Sequence, residues 1–216
     1  GFANYLALLG WAIAEDRDIF STAEMVGAFD VTRVSANPAR FDLKKAEAIN
    51  ATHLRALPVE EFVERVVPFL AGAGLVSDPP TPAQDRVLRV IAPLAQERMI
   101  VLSEAVGLLA FLFVEDVEID PAAAEKQLAG PEAVEVLDAA AAALRDLPEF
   151  TTPAIEEALK TALVEGLGRK PRQAFGPVRV AISGRTVSPP LYESIELLGR
   201  ERTLHRLTAA RDVAAG

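Results

Sequence analysis

The chain has 216 residues, half of them apolar, no cysteine, two histidines and a formal charge of −9. That length allows one large domain or two to three small ones, and the apolar half can bury a core, which excludes disorder. The missing cysteines exclude disulfides and thiolate metal sites and fit a reducing, cytoplasmic setting, and the isolated His53 and His205 do not make a histidine metal site.

The chain opens inside an amphipathic pattern, Phe2-Ala3-Asn4-Tyr5-Leu6-Ala7-Leu8-Leu9, with no charged leader or cleavage site, and this abrupt start reads as that of a fragment. Ser21 with Glu24 three residues on predicts a capping box. Asp42 is the expected cap of a helix over Leu43–Asn50. Pro58 suits the first turn of a helix running to about Leu70, with Gly72 and Gly74 ending it. Ser77-Asp78-Pro79-Pro80-Thr81-Pro82 is the clearest break, because its prolines bar a helix from continuing through it.

Thr81 caps the next helix, which starts at Pro82 and is interrupted or kinked near Pro93. An apolar helix follows over about Ser103–Phe113. The stretch Ala105–Val114 is the most apolar, at about half the ~20 residues that a membrane-spanning helix needs. The acidic run Glu115–Asp120 is a joint, closed by Asp120 as a cap and Pro121 in a first turn. Gly130-Pro131, Leu147-Pro148, Thr152-Pro153, Lys170-Pro171, Gly184 and Pro189-Pro190 divide the remainder into short helices. A strand is possible at Val178–Ile182, but helix is the preferred reading. Composition and spacing near 3.6 predict an all-α chain of two to three small packed helical domains, divided at 1–76, 77–119 and 120–216. No coiled-coil heptad run appears, so a monomer is expected.

Charge is unevenly spread. Residues 1–159 hold 12 Lys/Arg against 26 Asp/Glu, a net −14, while residues 160–216 hold 10 against 5, a net +5. Net acidity argues against general nucleic-acid affinity, but a basic end on an acidic body hints at a polyanion site there. Catalytic signatures are missing: there is no GxxxxGK[ST], GxGxxG, HExxH or GxSxG. The carboxylates at Glu60, Glu61 and Glu64 read as a solvated helix face.

Two longer stretches carry more. Asp16-Arg17-Asp18-Ile19-Phe20-Ser21 through Phe29-Asp30, Arg33-Val34-Ser35, Phe41–Lys45 and Asn50 resembles the stem-contact segment that follows the catalytic domain of bacterial glutamyl-tRNA synthetases. Pro177–Gly184, Ser188-Pro189-Pro190-Leu191-Tyr192-Glu193 and Leu197–Arg202 are similar to the C-terminal end of that family. Between them Arg98, Leu102-Ser103-Glu104 and Phe111-Leu112-Phe113 fall in the family order.

The resemblance implies the stem-contact and anticodon-binding domains of a class I aminoacyl-tRNA synthetase. It implies glutamate tRNA as partner, without DNA or membrane. It also implies that ATP and Mg²⁺ act in a catalytic domain that this chain lacks, since the HIGH-type and KMSKS-type signatures are absent. Arg98 then matches the reader of the third anticodon base, and Arg179 an arginine near the first. Ser188 and Pro189 match a loop contacting that same base, Leu191 and Tyr192 apolar positions against the middle base, and Lys45 a contact to the tRNA body.

Taken without the resemblance, Arg98 and Lys45 are ordinary exposed cations, and Leu191 and Tyr192 read equally well as core. The family usually has an aromatic residue at the position of Ala48 and a Gly-x-Tyr step at Ala51-Thr52-His53, where His53 would replace the tyrosine. Lys160, Arg169, Lys170, Arg172, Arg185, Arg200, Arg202 and Arg206 are further candidates for phosphate contacts. A rival reading is a helical protein–protein interaction module with no RNA role. It explains the acidity but not the order of Arg98, Arg179 and Ser188–Tyr192.

Overall fold

The computed structural model describes residues 1–35 and 40–216. Among the described residues there are twelve α-helices and no strand. They are α1 (Phe2–Leu8), α2 (Thr22–Ala28), α3 (Leu43–Arg55), α4 (Val59–Gly72), α5 (Pro82–Gln96), α6 (Glu104–Leu109), α7 (Pro121–Gln127), α8 (Pro131–Arg145), α9 (Thr152–Leu159), α10 (Pro171–Ser183), α11 (Leu191–Leu198) and α12 (Arg200–Ala215). A 3₁₀ turn over Ala110–Leu112 extends α6, and a π-helical stretch over Lys160–Gly166 extends α9.

The predicted helix starts are built from side-chain oxygens. Ser21 and Glu24 form the reciprocal capping box of α2, and Thr81 and Gln84 form that of α5 behind Pro82. Asp42 and Asp120 accept the backbone N–H groups of Lys45 and Ala123. Each bond satisfies an N–H that has no intrahelical partner.

Three expected boundaries shift. The α3 helix runs five residues past Asn50 to Arg55, because Ile49, Ala51 and Leu54 continue its buried face. In α4, Pro58 stands just before the first turn and Gly72 is still helical; the chain turns at Gly74, with φ +73°. Pro93 does not interrupt α5, which continues to Gln96. Val178–Ile182 is helical, within α10.

One buried apolar cluster runs from Leu54 on α3 to Ala210 on α12. In it α4 packs on α5 and α6, α8 on α12, and α10 on α7, α8 and α12, while α11 touches α5, α9, α10 and α12. The Gln96 amide donates to the carbonyls of Leu54 (2.5 Å) and Leu57 (2.9 Å), tying α5 to the turn between α3 and α4.

A second, smaller group lies at the N-terminal end. Trp11 packs edge-on to Phe20 with ring centroids 5.8 Å apart, and Tyr5 edge-on to Phe41 at 5.1 Å. Asn4 holds this end together: its amide donates to Asp18 O, and its Oδ1 accepts from Phe20 N and stands 2.8 Å from His53 Nε2. An acceptor at that place puts the imidazole proton on Nε2.

The expected phosphate contact at Arg206 is corrected. Its side chain is 2 % exposed, and its guanidinium donates to Val114 O (2.6 Å), Glu115 O and Ile182 O (2.7 Å). Burial, and then Arg202 nearby, lower its pKa to about 10, which still leaves it charged at neutral pH. Arg206 fastens α12 to the end of α10 and to the acidic joint. The same joint meets the turn after α10, where Asp120 N donates to Gly184 O at 2.9 Å. Gly184 has φ +72°, and a Cβ there would fall 2.3 Å from Glu118 O, so the turn requires glycine.

Two outcomes follow. Replacing Arg206 with leucine takes the donor from three carbonyls, that of Ile182 being buried, and is expected to cost about 3 kcal/mol, read from urea unfolding of both proteins. A loss below about 1 kcal/mol would mean that the carbonyls find water instead.

Burial, with the Gly1 amine second, lowers the pKa of His53 below its usual 6.5. The unfolded chain therefore binds the proton more tightly, and this contribution is present above about pH 6.5 and lost as pH falls below it. Thermal midpoints of wild type and His53→Gln should differ in slope across that window; parallel curves would remove His53 as the cause.

Candidate nucleic-acid interface

The face of α10 that points away from the core carries Arg172, Phe175, Gly176 and Arg179, at i, i+3, i+4 and i+7. Ala174, Val178, Ala181 and Ile182 are buried on its other side. The arginine that breaks the apolar run Val178–Ile182 is thus the outward position of a helix whose remaining neighbours are core. Its Nη1 donates to Ser188 Oγ (2.6 Å) and Pro189 O (3.0 Å). The Ser188 hydroxyl is satisfied by donating in turn to Pro189 O at 3.0 Å. Nε and Nη2 of Arg179 make no hydrogen bond among the described residues, so two faces of the fork stay available.

Arg98 follows the last turn of α5, exposed, with Nη1 donating to Leu94 O at 2.9 Å. It lies close enough to Arg179 that, after burial, its charge is the next cause lowering the Arg179 pKa. Neither arginine has a carboxylate partner in an ion pair among the described residues. Two guanidiniums within range of each other's charge, with no ion-pair partner among the described residues, favour an anion there on a chain of net charge −9.

Tyr192, in the first turn of α11, is half-buried and sets its ring edge-on to Phe175 at 5.8 Å. Burial and then Glu156 push its hydroxyl pKa up, so it remains a neutral donor. Arg179 also enters its electrostatics, so the hydroxyl lies within range of that guanidinium's charge. Leu191, at 5 % exposure, belongs to the apolar cluster, and Ser188 and Pro189 are buried.

Six of the seven predicted residues therefore gather where the end of α5, the middle of α10 and the start of α11 meet. Leu191 joins them from beneath, with its side chain inside the fold. Lys45 stands apart, in the first turn of α3, paired with Asp18 at 2.8 Å and half-exposed.

The further cations sort by partner. Lys160 pairs with Glu156, and Arg169 with Glu132 and Glu135. Arg200 bonds the carbonyls of Arg145 and Leu147 and lies over the Phe150 ring, and Arg202 bonds those of Leu198 and Leu112. Lys170, Arg172 and Arg185 are exposed and unpaired among the described residues.

Sequence reasoning passed over Gln127 and Gly176, which line a groove beside Arg179. They come from helices about fifty residues apart, and no local pattern joins them. Among the described residues no group of three or more His, Cys, Asp or Glu is arranged to hold a metal ion. No helix is long and apolar enough to cross a membrane among those residues.

The chain matches the anticodon binding domain family over residues 61–211, a span that includes Arg98, Arg179 and Ser188–Tyr192 but not Lys45. It is 62 % identical over 210 residues to a glutamate–tRNA ligase of Saccharopolyspora erythraea, covering 97 % of this chain and 42 % of that protein. It is 58 % identical over 211 residues to a glutamate–tRNA ligase of Mycobacteroides abscessus, covering 98 % of this chain and again 42 % of the relative. The crystal structure of a glutamate tRNA ligase from Elizabethkingia meningosepticum, solved with its amino acid, superposes with a TM-score of 0.78 at 25 % identity, over 98 % of this chain and 40 % of that one. The chain thus spans about 42 % of the length of the curated relatives it matches.

Ser188 offers a test of how firmly the arginine is set. Ser188→Ala removes one of two acceptors from Arg179 and is expected to cost about 1 kcal/mol of stability, read by thermal unfolding. Arg179→Leu in the same background should then cost less than it does alone. Equal losses in both backgrounds would show that the contact is not energetically coupled.

Proposed function

The chain belongs to the anticodon-binding domain family, and from that premise we propose that it holds the anticodon arm of glutamate tRNA for a glutamate–tRNA ligase. The observation that carries the proposal is the convergence of Arg98, Arg179 and Tyr192 at one surface, with the two guanidiniums unpaired. Sequence-specific RNA recognition works on splayed loop bases, through planar donors at their edges and aromatic rings at their faces. Arg98 would read the third anticodon base with its open guanidinium edge. Arg179, fixed by Ser188 and Pro189, would read the first through Nε and Nη2. Tyr192 would flank the middle base, and Leu191 would support that ring from the core.

Lys45 would contact the tRNA body, where a phosphate competes with Asp18 for the ammonium. The parent ligase would join glutamate to this tRNA with ATP and Mg²⁺ in a separate catalytic domain, in the cytoplasm, with this chain acting as a monomer and taking neither DNA nor membrane. A helical protein–protein interaction module is disfavoured, because it gives no reason for the family match or for the paired arginines.

The chain should bind the anticodon stem-loop of glutamate tRNA more tightly than an unrelated stem-loop, with affinity falling as salt rises. Arg98→Ala should cost about 1–3 kcal/mol and remove discrimination at the third base. Undiminished discrimination by that variant would overturn its assignment, and equal affinity for both stem-loops would overturn the reading.

A further inference from the structure

A groove of about 460 Å³ runs from Arg179 along α10 to α7 and the loop after Gly184, and Arg98 does not line it. Its size falls within the range of small-ligand sites, roughly 300–1,000 Å³. None of its lining residues is acidic. Lys126 and Arg172 stand in its wall, exposed and without an ion-pair partner among the described residues. Phe175 gives it an aromatic wall, and the ring's edge-on contact with Tyr192 joins the groove to the arginine cluster. Val187 lines it at 68 % exposure, an apolar surface left to water.

Gln127 also lines it. Its amide makes no hydrogen bond among the described residues, yet it is pressed so closely on Gly176 that a Cβ there would fall 2.0 Å from its Oε1. The glycine makes room for an amide that nothing in the fold uses.

We propose that this groove takes one further unstacked nucleotide of the same RNA, the neighbour of the base held at Arg179 on the side away from the middle base. The Gln127 amide, both donor and acceptor, meets the base edge, and Phe175 and Val187 meet its face. Lys126 and Arg172 meet its phosphate. The assignment rests on the anticodon reading above and extends it by one nucleotide. Phosphate contacts of this kind position the strand, while the amide contact adds a preference among bases.

The test is binding of the 216-residue chain to the glutamate tRNA stem-loop, intact or made abasic at the nucleotide that precedes the first anticodon base. That abasic loop should bind wild type about tenfold more weakly, the usual scale for losing one base contact. Gln127→Ala should bind the intact loop with a similar loss and show no further loss on that abasic loop. Gly176→Ala keeps the helix and moves only the end of a flexible side chain, so it should reproduce the Gln127→Ala result in a folded protein. Arg172→Ala should weaken all loops alike and reduce the salt dependence.

Additive losses, or groove variants that bind every loop like wild type while Arg179→Ala does not, would overturn the groove alone. A wild-type chain that binds no loop would overturn the anticodon reading and the groove together.

Discussion

One buried cation sets the geometry of the C-terminal half. The Arg206 guanidinium reaches the carbonyls of Val114, Glu115 and Ile182, which lie before α7, at the joint and at the end of α10. A charge with no carboxylate partner is costly inside a protein, and it is tolerated here because carbonyl dipoles converge on it. Those carbonyls belong to helix and turn ends that would otherwise be stranded. The bond set therefore fixes the direction in which α10 leaves the core, and with it the position of Arg179. The Gly184 turn works from the other side, by letting the joint approach to within hydrogen-bonding distance. Recognition groups on a surface set in this way need little ordering when a ligand arrives.

The charge pattern takes on meaning only when partners are counted. Cations of the basic end are largely consumed inside the fold: Arg169 and Lys160 by carboxylates, Arg200, Arg202 and Arg206 by carbonyls. Without an ion pair among the described residues there remain Lys170, Arg172, Arg179 and Arg185, all on α10 or at its ends, and to them the end of α5 adds Arg98 and α7 adds Lys126. On a net acidic chain such a strip attracts a polyanion locally while the rest of the surface repels it. That charge pattern suits the proposed choice of one loop among many RNAs, since net acidity works against non-specific binding.

Helix type and capping were legible because each depends on residues within four positions of each other, as at Ser21–Glu24 and Thr81–Gln84. Boundaries governed by burial were not: the five extra residues of α3 are helical because Ala51 and Leu54 meet a partner that no local pattern reveals. The candidate site was visible as Arg98, Arg179 and the Ser188–Tyr192 segment, carried by resemblance rather than by spacing. The fate of Arg206 was not visible. It sits on a helix that is polar around most of its circumference, so no local pattern marks which arginine turns inward. Gln127 and Gly176 escaped for a related reason, since an unused amide has no signature until the opposing helix is in place.

The arrangement at Arg179 also bears on why serine and proline stand at 188 and 189. A lone guanidinium on a helix face samples many rotamers, and fixing it on binding has an entropic cost. Here one nitrogen is held by two oxygens from the following loop, and Ser188 is itself held by Pro189 O. The proline stiffens the loop that supplies both acceptors, and Pro190 with Leu191 starts the next helix and buries its first turn. The loop that a linear reading assigns to direct contact is thus also a clamp on the arginine. In the proposed anticodon reading, specificity at the first base then falls to the open side of Arg179, with its Nε and Nη2.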